Sequence, residues 1–402
     1  MVFVIAAFAI ALLATRPFGL PRWVWPVAAA LLIVALGYEP VPSAVRAILA
    51  QWNVLLFIAG LLGISAAAHA AGVFHWITDF VLARAGGSWR GLFIGLFLTG
   101  AVIALLLSND ATAVVLTPIV YRAVTRHGGN PKPFLFACIF VANTASFGLP
   151  FSNPANVLIL PHARLLPYLW HLAIPQICAV AATLGLLLFF FRGEIAGRYS
   201  TIECAAPTAA VQRALIAMAL VVVGYFTALA RGWPLGIVAS VGAILVLLAA
   251  RRNPIGALRR AGWSVLSLLA GLFVLFDAVA RAGFVAWIAA HLTAAMHGGA
   301  LGLNAAAAAG AAVLSNLFNN LPVAVASSYV AAHASAPVAY PLIAGVDLGP
   351  NLVTSASLAT ILWLTILRQY GIRVGFAEYL KLGAAIAPAT LLPAILWLSL
   401  IR

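Results

Sequence analysis

Long apolar runs alternate with short polar breaks along this chain, at the spacing of membrane spans. At about 20 residues per crossing, the first two runs, 2–15 and 23–37, are short enough to require tilt or local bilayer thinning. A third covers 47–71. Residues 73–85 mix His75, Asp79 and Arg84 with aromatics, the pattern of a helix lying in the interface. Apolar runs 91–107 and 113–120 are separated by Ser108, Asn109, Asp110, Ala111 and Thr112. Runs 133–160 and 166–191 follow. After the polar stretch 193–211, with Glu194, Arg198, Glu203 and Pro207, the pattern restarts. It gives 214–230, 235–250, 263–280, an interfacial 284–296, then 303–314, 322–332, 338–367 and 376–401.

The restart is an internal repeat. Trp52, Val54, Gly60, Gly72 and Trp76 match Trp263, Val265, Gly271, Gly283 and Trp287, all 211 residues on. Asp110 falls on Asn320 at 210, and the stretch 152–156 falls on 356–360 at 204. If 91–123 and its partner enter the membrane and return as hairpins, each half has five crossings and the halves run in opposite directions. That is the inverted repeat of many secondary transporters. The expected fold is an all-α polytopic membrane protein of about 10 transmembrane helices in two inverted-topology repeats. The first repeat is 1–192, with a re-entrant hairpin at about 88–126 and a broken helix at about 133–160. A cytoplasmic linker, 193–211, precedes the second repeat, 212–402, with its hairpin at about 302–335 and broken helix at about 338–367.

Composition agrees with this pattern. Of 402 residues, 65% are hydrophobic and 7% charged, against roughly 25% charged in a soluble domain. The net charge of +14 does not point to nucleic acid, because the basic residues are scattered singly between apolar runs. Under the proposed topology 17 of the 22 Lys and Arg fall on one side, leaving Arg46, Arg164, Arg231, Arg281 and Arg402 on the other. The positive-inside rule makes the first side cytoplasmic and puts both termini outside, in a cell inner membrane. Cys138, Cys178 and Cys204 have neither metal-ligand nor redox spacing and read as small apolar fillers.

Polar groups at membrane depth are tolerated only inside protein or along a cavity, and an ionisable one marks a functional site. Four places qualify: the hairpin tips 108–112 and 315–322, and the breaks 143–156 and 347–357, where Pro154 and Pro350 interrupt helices. Helix ends and carbonyls freed there become ligands for a small solute. The substrate-binding candidates are Ser108, Asn109, Thr112, Ser152, Asn153, Asn156, Asn316, Asn319, Asn320, Thr354, Ser355 and Ser357. Asp110 and Asp347 are the proton-coupling candidates. Such Ser, Thr and Asn side chains also serve as bonds between helices, and Asp277 stands at the i,i+4 spacing of a local pair with Arg281. No Lys or Arg cluster lies within the apolar runs, which disfavours multiply charged anions and suits a neutral polyhydroxylated solute or a cation. No nucleophile–base pair or metal motif suggests an enzyme, and no cofactor or metal is implied.

Residues 107–119 (LSNDATAVVLTPI), 315–322 (SNLFNNLP) and 345–363 (GVDLGPNLVTSASLATILW) together resemble the hallmarks of the arsenite efflux permeases, the ArsB family. The similarity runs the length of the chain. The stretch 146–156 (SFGLPFSNPAN) keeps the family's Ser-Asn core between neighbours of its own. The resemblance implies the ion transporter superfamily fold and export of As(OH)3 and Sb(OH)3 against inward proton movement, conferring arsenical resistance. It also implies, for some members, a cytoplasmic ArsA-type ATPase partner. No oligomeric state follows from it. The alternative function is a Na+/H+ (cation/proton) antiporter on the same scaffold; a passive channel would not require Asp110.

Overall fold

The computed structural model describes the chain apart from residues 16–18, 110–111, 202, 252–254, 260–261, 285–286, 289, 292–297, 335–336 and 402. Helices supply its regular structure; among the described residues the one β-type pairing is a single bridge between Ser88 and Arg198.

In the first half α1 (Val2–Thr15), α2 (Val24–Ala35), α3 (Val41–Ala50), α4 (Trp52–Ala71) and α5 (Val73–Arg84) precede the first hairpin. That hairpin is α6 (Trp89–Leu106), a tip, a π-helical turn (Thr112–Leu116) and α7 (Thr117–Arg126). The first broken helix follows as α8 (Lys132–Thr144) and α9 (Pro154–Ile159), then α10 (Leu165–Phe190). The second half repeats the order: α11 (Ala209–Arg231), α12 (Leu235–Ala250), α13 (Ile255–Arg259) and α14 (Ser264–Arg281). The second hairpin is α15 (Gly299–Phe318) and α16 (Asn320–His333). The second broken helix is α17 (Ala339–Leu348), a 3-10 turn (Gly349–Asn351) and α18 (Leu358–Gln369), followed by α19 (Phe376–Leu400). Seven of these helices are long and apolar enough to cross a bilayer.

Two boundaries differ from those expected. The third apolar run breaks at Gln51, because α3 is a separate amphipathic helix started by Pro40 and Val41-Pro42, with Ser43, Ala44 and Ala47 turned inward. The linker is shorter, since the Thr208 side chain caps α11 by accepting from Val211 N at 3.4 Å.

The packing carries the repeat into three dimensions. Helix α4 of the first half lies on α12 of the second, and α14 of the second lies on α2 of the first. Both crossings depend on a glycine. A Cβ on Gly60 would collide with the backbone of Ala239, and one on Gly271 would stand 2.7 Å from Pro26 C and Val27 N. Small residues let membrane helices approach closely where apolar burial gives little drive. Around this scaffold, α9 packs on α16 of the second hairpin, and α18 packs on the π turn and α7 of the first. Each hairpin thus meets the broken helix of the opposite half as well as its own. Helices α10 and α19 close the pairing against each other.

Candidate functional site

Both hairpins stop at the expected polar tips. Helix α6 ends at Leu106; Ser108 and Asn109 are buried beyond it, and the Thr112 hydroxyl donates to Ser108 O at 2.8 Å. Asp110, the acid at the centre of this motif, lies outside the described residues. The second tip is one residue wide. Asn319 has φ 77°, a conformation rarely adopted by a residue with a side chain. Its Oδ1 accepts from Leu321 N at 3.4 Å, while its Nδ2 donates to Ser355 O at 3.0 Å. Next to it Asn320 N donates to Ala356 O at 2.8 Å, so the tip is fastened to the break of its own half. Asn316 makes a second fastening: Nδ2 donates to Ala312 O and Gly349 O, both at 2.8 Å, and Oδ1 accepts from Val353 N.

The two broken helices meet at their breaks. Asn153 caps α9, its Oδ1 accepting from Ala155 N, and Ser357 caps α18, accepting from Thr360 N. These caps are 204 residues apart, the offset of the repeat. Each reaches across to the other half. Asn153 Nδ2 donates to Asp347 Oδ1 at 2.7 Å, and the Ser357 hydroxyl donates to Asn143 Oδ1 at 3.2 Å. Asn143 and Asp347 are again 204 apart, so the two bonds are counterparts. Asn143 also donates to Thr360 Oγ1, and Asn351 to Thr144 Oγ1. Residues 133–159 are buried throughout.

The sequence-based candidates therefore divide. Asn153, Asp347 and Ser357 form the crossing. Ser152 and Asn156 shape the first break instead: Ser152 Oγ donates to Ser146 O at 2.6 Å or Leu149 O at 2.7 Å, and Asn156 Nδ2 donates to both carbonyls at 3.1 Å. Asn156 Oδ1 and Asn320 Oδ1 are buried and have no hydrogen-bond partner. Thr354 is half-buried and Ser355 exposed, at the edge of the site. The local Asp277–Arg281 pair is present at 2.8 Å.

Asn143, Thr144 and Asn351 lie in the two breaks the sequence marks but are not among the substrate-binding candidates, and Thr360 lies outside them; all four are buried in the crossing. Two tyrosines that the sequence does not single out stand there too. Tyr168 is close enough to Asp347 to feel its charge and donates to Phe147 O at 2.9 Å; Tyr379 lies beside Thr360 and Asn143. Their numbers differ by 211, a signal the repeat already offered. Asp347 is the one carboxylate among the described residues of the crossing; its second oxygen, Oδ2, is buried without a hydrogen-bond partner. A carboxyl so placed changes its bonding with its proton: ionised it only accepts, protonated it also donates.

Two hairpins and two broken helices, related by a repeat around a neutral polar crossing with one acid, are the architecture of a multi-pass membrane transporter. The chain belongs to the citrate transporter family CitMHS, whose model matches residues 9–357. It is 29% identical over 353 residues to the arsenical pump membrane protein of Yersinia enterocolitica, covering 83% of this chain and 82% of that one. The arsenical pump membrane protein of Escherichia coli K12 is 28% identical with the same coverage. In fold the chain is similar to the YdaH transporter of Alcanivorax borkumensis, with a TM-score of 0.58 and 16% identity over 94% of this chain and 97% of that one. The resemblance to arsenical pumps and the all-helical transporter fold both hold, and the protein is a membrane transporter rather than an enzyme.

Proposed function

We propose that the chain exports arsenite and antimonite, as neutral As(OH)3 and Sb(OH)3, in exchange for protons. The carrying observation is the crossing itself, the Asp347–Asn153 contact at 2.7 Å together with the amide–hydroxyl bonds of Asn143, Ser357, Thr360, Asn351 and Thr144. Three hydroxyls on a neutral solute match neutral donors and acceptors, and one acid whose bonding changes with its proton supplies the coupling. The family description names citrate. A tricarboxylate asks for charge-assisted bonds from Arg or Lys, and the described crossing offers neither.

In this mechanism the hairpins and broken helices move against the scaffold of α2, α4, α12 and α14 and expose the crossing to each side in turn. The halves are 1–192 and 212–402, both termini lie in the periplasm and the linker lies in the cytoplasm. Asp110 and Asp347 are the proton carriers. Substrate is held at Ser108, Asn109, Thr112, Asn153, Asn320 and Ser357, with Ser152, Asn156, Asn316, Asn319, Thr354 and Ser355 shaping the surround. An ArsA-type ATPase partner is carried by the resemblance alone.

A cation/proton antiporter is the second reading, favoured by the unpartnered Asp347 Oδ2. Everted membrane vesicles separate the two. With an acid interior, uptake of arsenite that collapses with the gradient supports the proposal. Sodium-dependent proton release without arsenite uptake supports the cation antiporter, and gradient-driven citrate uptake overturns both.

A further inference from the structure

Two acidic side chains are buried among the described residues, and only Asp347 belongs to the crossing. The other is Glu39, in the turn between α2 and α3. Its side chain is 0% exposed, and neither carboxylate oxygen has a hydrogen-bond partner. It faces Nη2 of Arg281 at 3.5 Å; the same nitrogen holds Asp277 Oδ2 at 2.8 Å. Two carboxylates thus share one guanidinium nitrogen. From α3, Arg46 is within electrostatic range, its guanidinium already bonded to Pro42 O and Ser43 Oγ. From the second hairpin, the Tyr329 hydroxyl of α16 stands 3.5 Å from both Asp277 Oδ1 and Phe273 O. The cluster therefore ties the α2–α3 turn, scaffold helix α14 and the second hairpin together. Its counterparts in the first half, 211 residues earlier, are Ala66 and Ala70, so this device is not a product of the repeat.

Burial pushes the Glu39 carboxyl up; Arg281 pulls it down, and Asp277 adds to the upward push. With a proton on Glu39, one anion faces Arg281 and Glu39 gains a donor to offer Asp277. Without it, two anions crowd one guanidinium, and the buried Glu39 charge has no hydrogen bond and only the shared Arg281 nitrogen at 3.5 Å, a poor setting for a buried ion. The geometry points to Glu39 and Asp277 as a proton-binding carboxylate pair between scaffold and second hairpin, with the hairpin held through Tyr329 while Glu39 keeps its proton. Its use in transport rests on the proton-coupled function above; the proton binding does not. By the charge asymmetry, Arg46 and Arg281 mark the outer face, from which such an antiporter takes protons.

A folded-state carboxyl pKa above its ordinary value means a hold present at low pH and lost as pH rises beyond the ordinary value through the raised one. Amide hydrogen exchange of 320–333, corrected for the chemical rate and followed across pH on the full-length protein in detergent without substrate, tests this. Wild type is expected to lose protection there several-fold as pH rises. Glu39→Gln, a neutral mimic of the protonated side chain, keeps protection throughout, and Tyr329→Phe lacks it even at acid pH. Wild-type exchange indifferent to pH, a Glu39→Gln protein that follows wild type, or full acid-pH protection in Tyr329→Phe would each overturn the site. No substrate is used, so a failure here and a failure of arsenite transport are separate results.

Discussion

Asn153 and Asp347, 194 residues apart in the chain, are joined by a hydrogen bond of 2.7 Å from amide to carboxylate. Its counterpart joins Ser357 to Asn143 at 3.2 Å. The crossing is built twice from the same offset, with an amide at one position and an acid at its equivalent. Only the second can change its bonding by taking up a proton, so the repeat isolates Asp347 as the group that breaks the symmetry of the site.

Asp347→Asn removes that difference while keeping the shape and the acceptor for Asn153. The variant is expected to fold, to exchange arsenite passively, and to lose gradient-driven accumulation down to the passive level. Vesicle uptake with and without an acid interior measures this, with Asp110→Asn alongside. Full driven uptake in Asp347→Asn, combined with its loss in Asp110→Asn, would move the coupling to the first hairpin.

Asn143→Ala tests the other arm. It removes the donor to Thr360 and the acceptor for Ser357, both buried. The two hydroxyls keep each other at 2.8 Å, so one buried donor loses its acceptor, at a cost of about 1–3 kcal/mol. A lower melting temperature in detergent is expected, and an unchanged one would show that water or a shift of Ser357 replaces the bond.

Architecture was far more legible in the sequence than partnership. Polar tips at 108–112 and 315–322, and prolines 154 and 350, interrupt apolar runs, and interruptions of that kind are local signals. Asn143 opens one such interruption, but its partner Thr360 carries no signal, because a Thr inside an apolar helix reads the same whether it faces lipid, a neighbouring turn or another helix 217 residues away. The repeat is the way in: counted back from Asp347, the 204 offset falls on Asn143, and the 211 offset relates Tyr168 to Tyr379. Ser152 and Asn156 went the other way. Their motif looked like ligand chemistry, yet their donors go to Ser146 O and Leu149 O, because a broken helix must first satisfy its own freed carbonyls.

The scaffold makes a prediction independent of chemistry. Gly60→Val and Gly271→Val each force a side chain into backbone at an interhelical crossing, so each is expected to destabilise by about 1–3 kcal/mol or more. Gly310, with nothing within 4 Å of a built Cβ, is the control, and Gly310→Ala should be close to neutral. Size-exclusion profiles and melting temperatures of the three variants decide it. If Gly271→Val behaves like the control, α2 and α14 can separate without harm, and that crossing is not a fixed part of the scaffold.

Asn319 combines strain with fastening, and two substitutions separate them. Its φ of 77° costs a residue with a Cβ about 1–3 kcal/mol, a penalty glycine does not incur. Its amide also holds Ser355 O at 3.0 Å, tying the hairpin tip to the break. Asn319→Gly relieves the backbone and loses the tie; Asn319→Ala keeps the strain and loses the tie. The alanine variant should therefore be less stable than the glycine variant by about 1–3 kcal/mol. Transport should fall in both, since the tip follows the break less closely with one of its ties gone. Equal melting temperatures would mean that the tip relaxes out of this conformation once the side chain is gone. Wild-type transport in Asn319→Gly would assign the coupling of tip to break to the bonds that remain, Asn320 N to Ala356 O and Asn316 to Gly349 O and Val353 N.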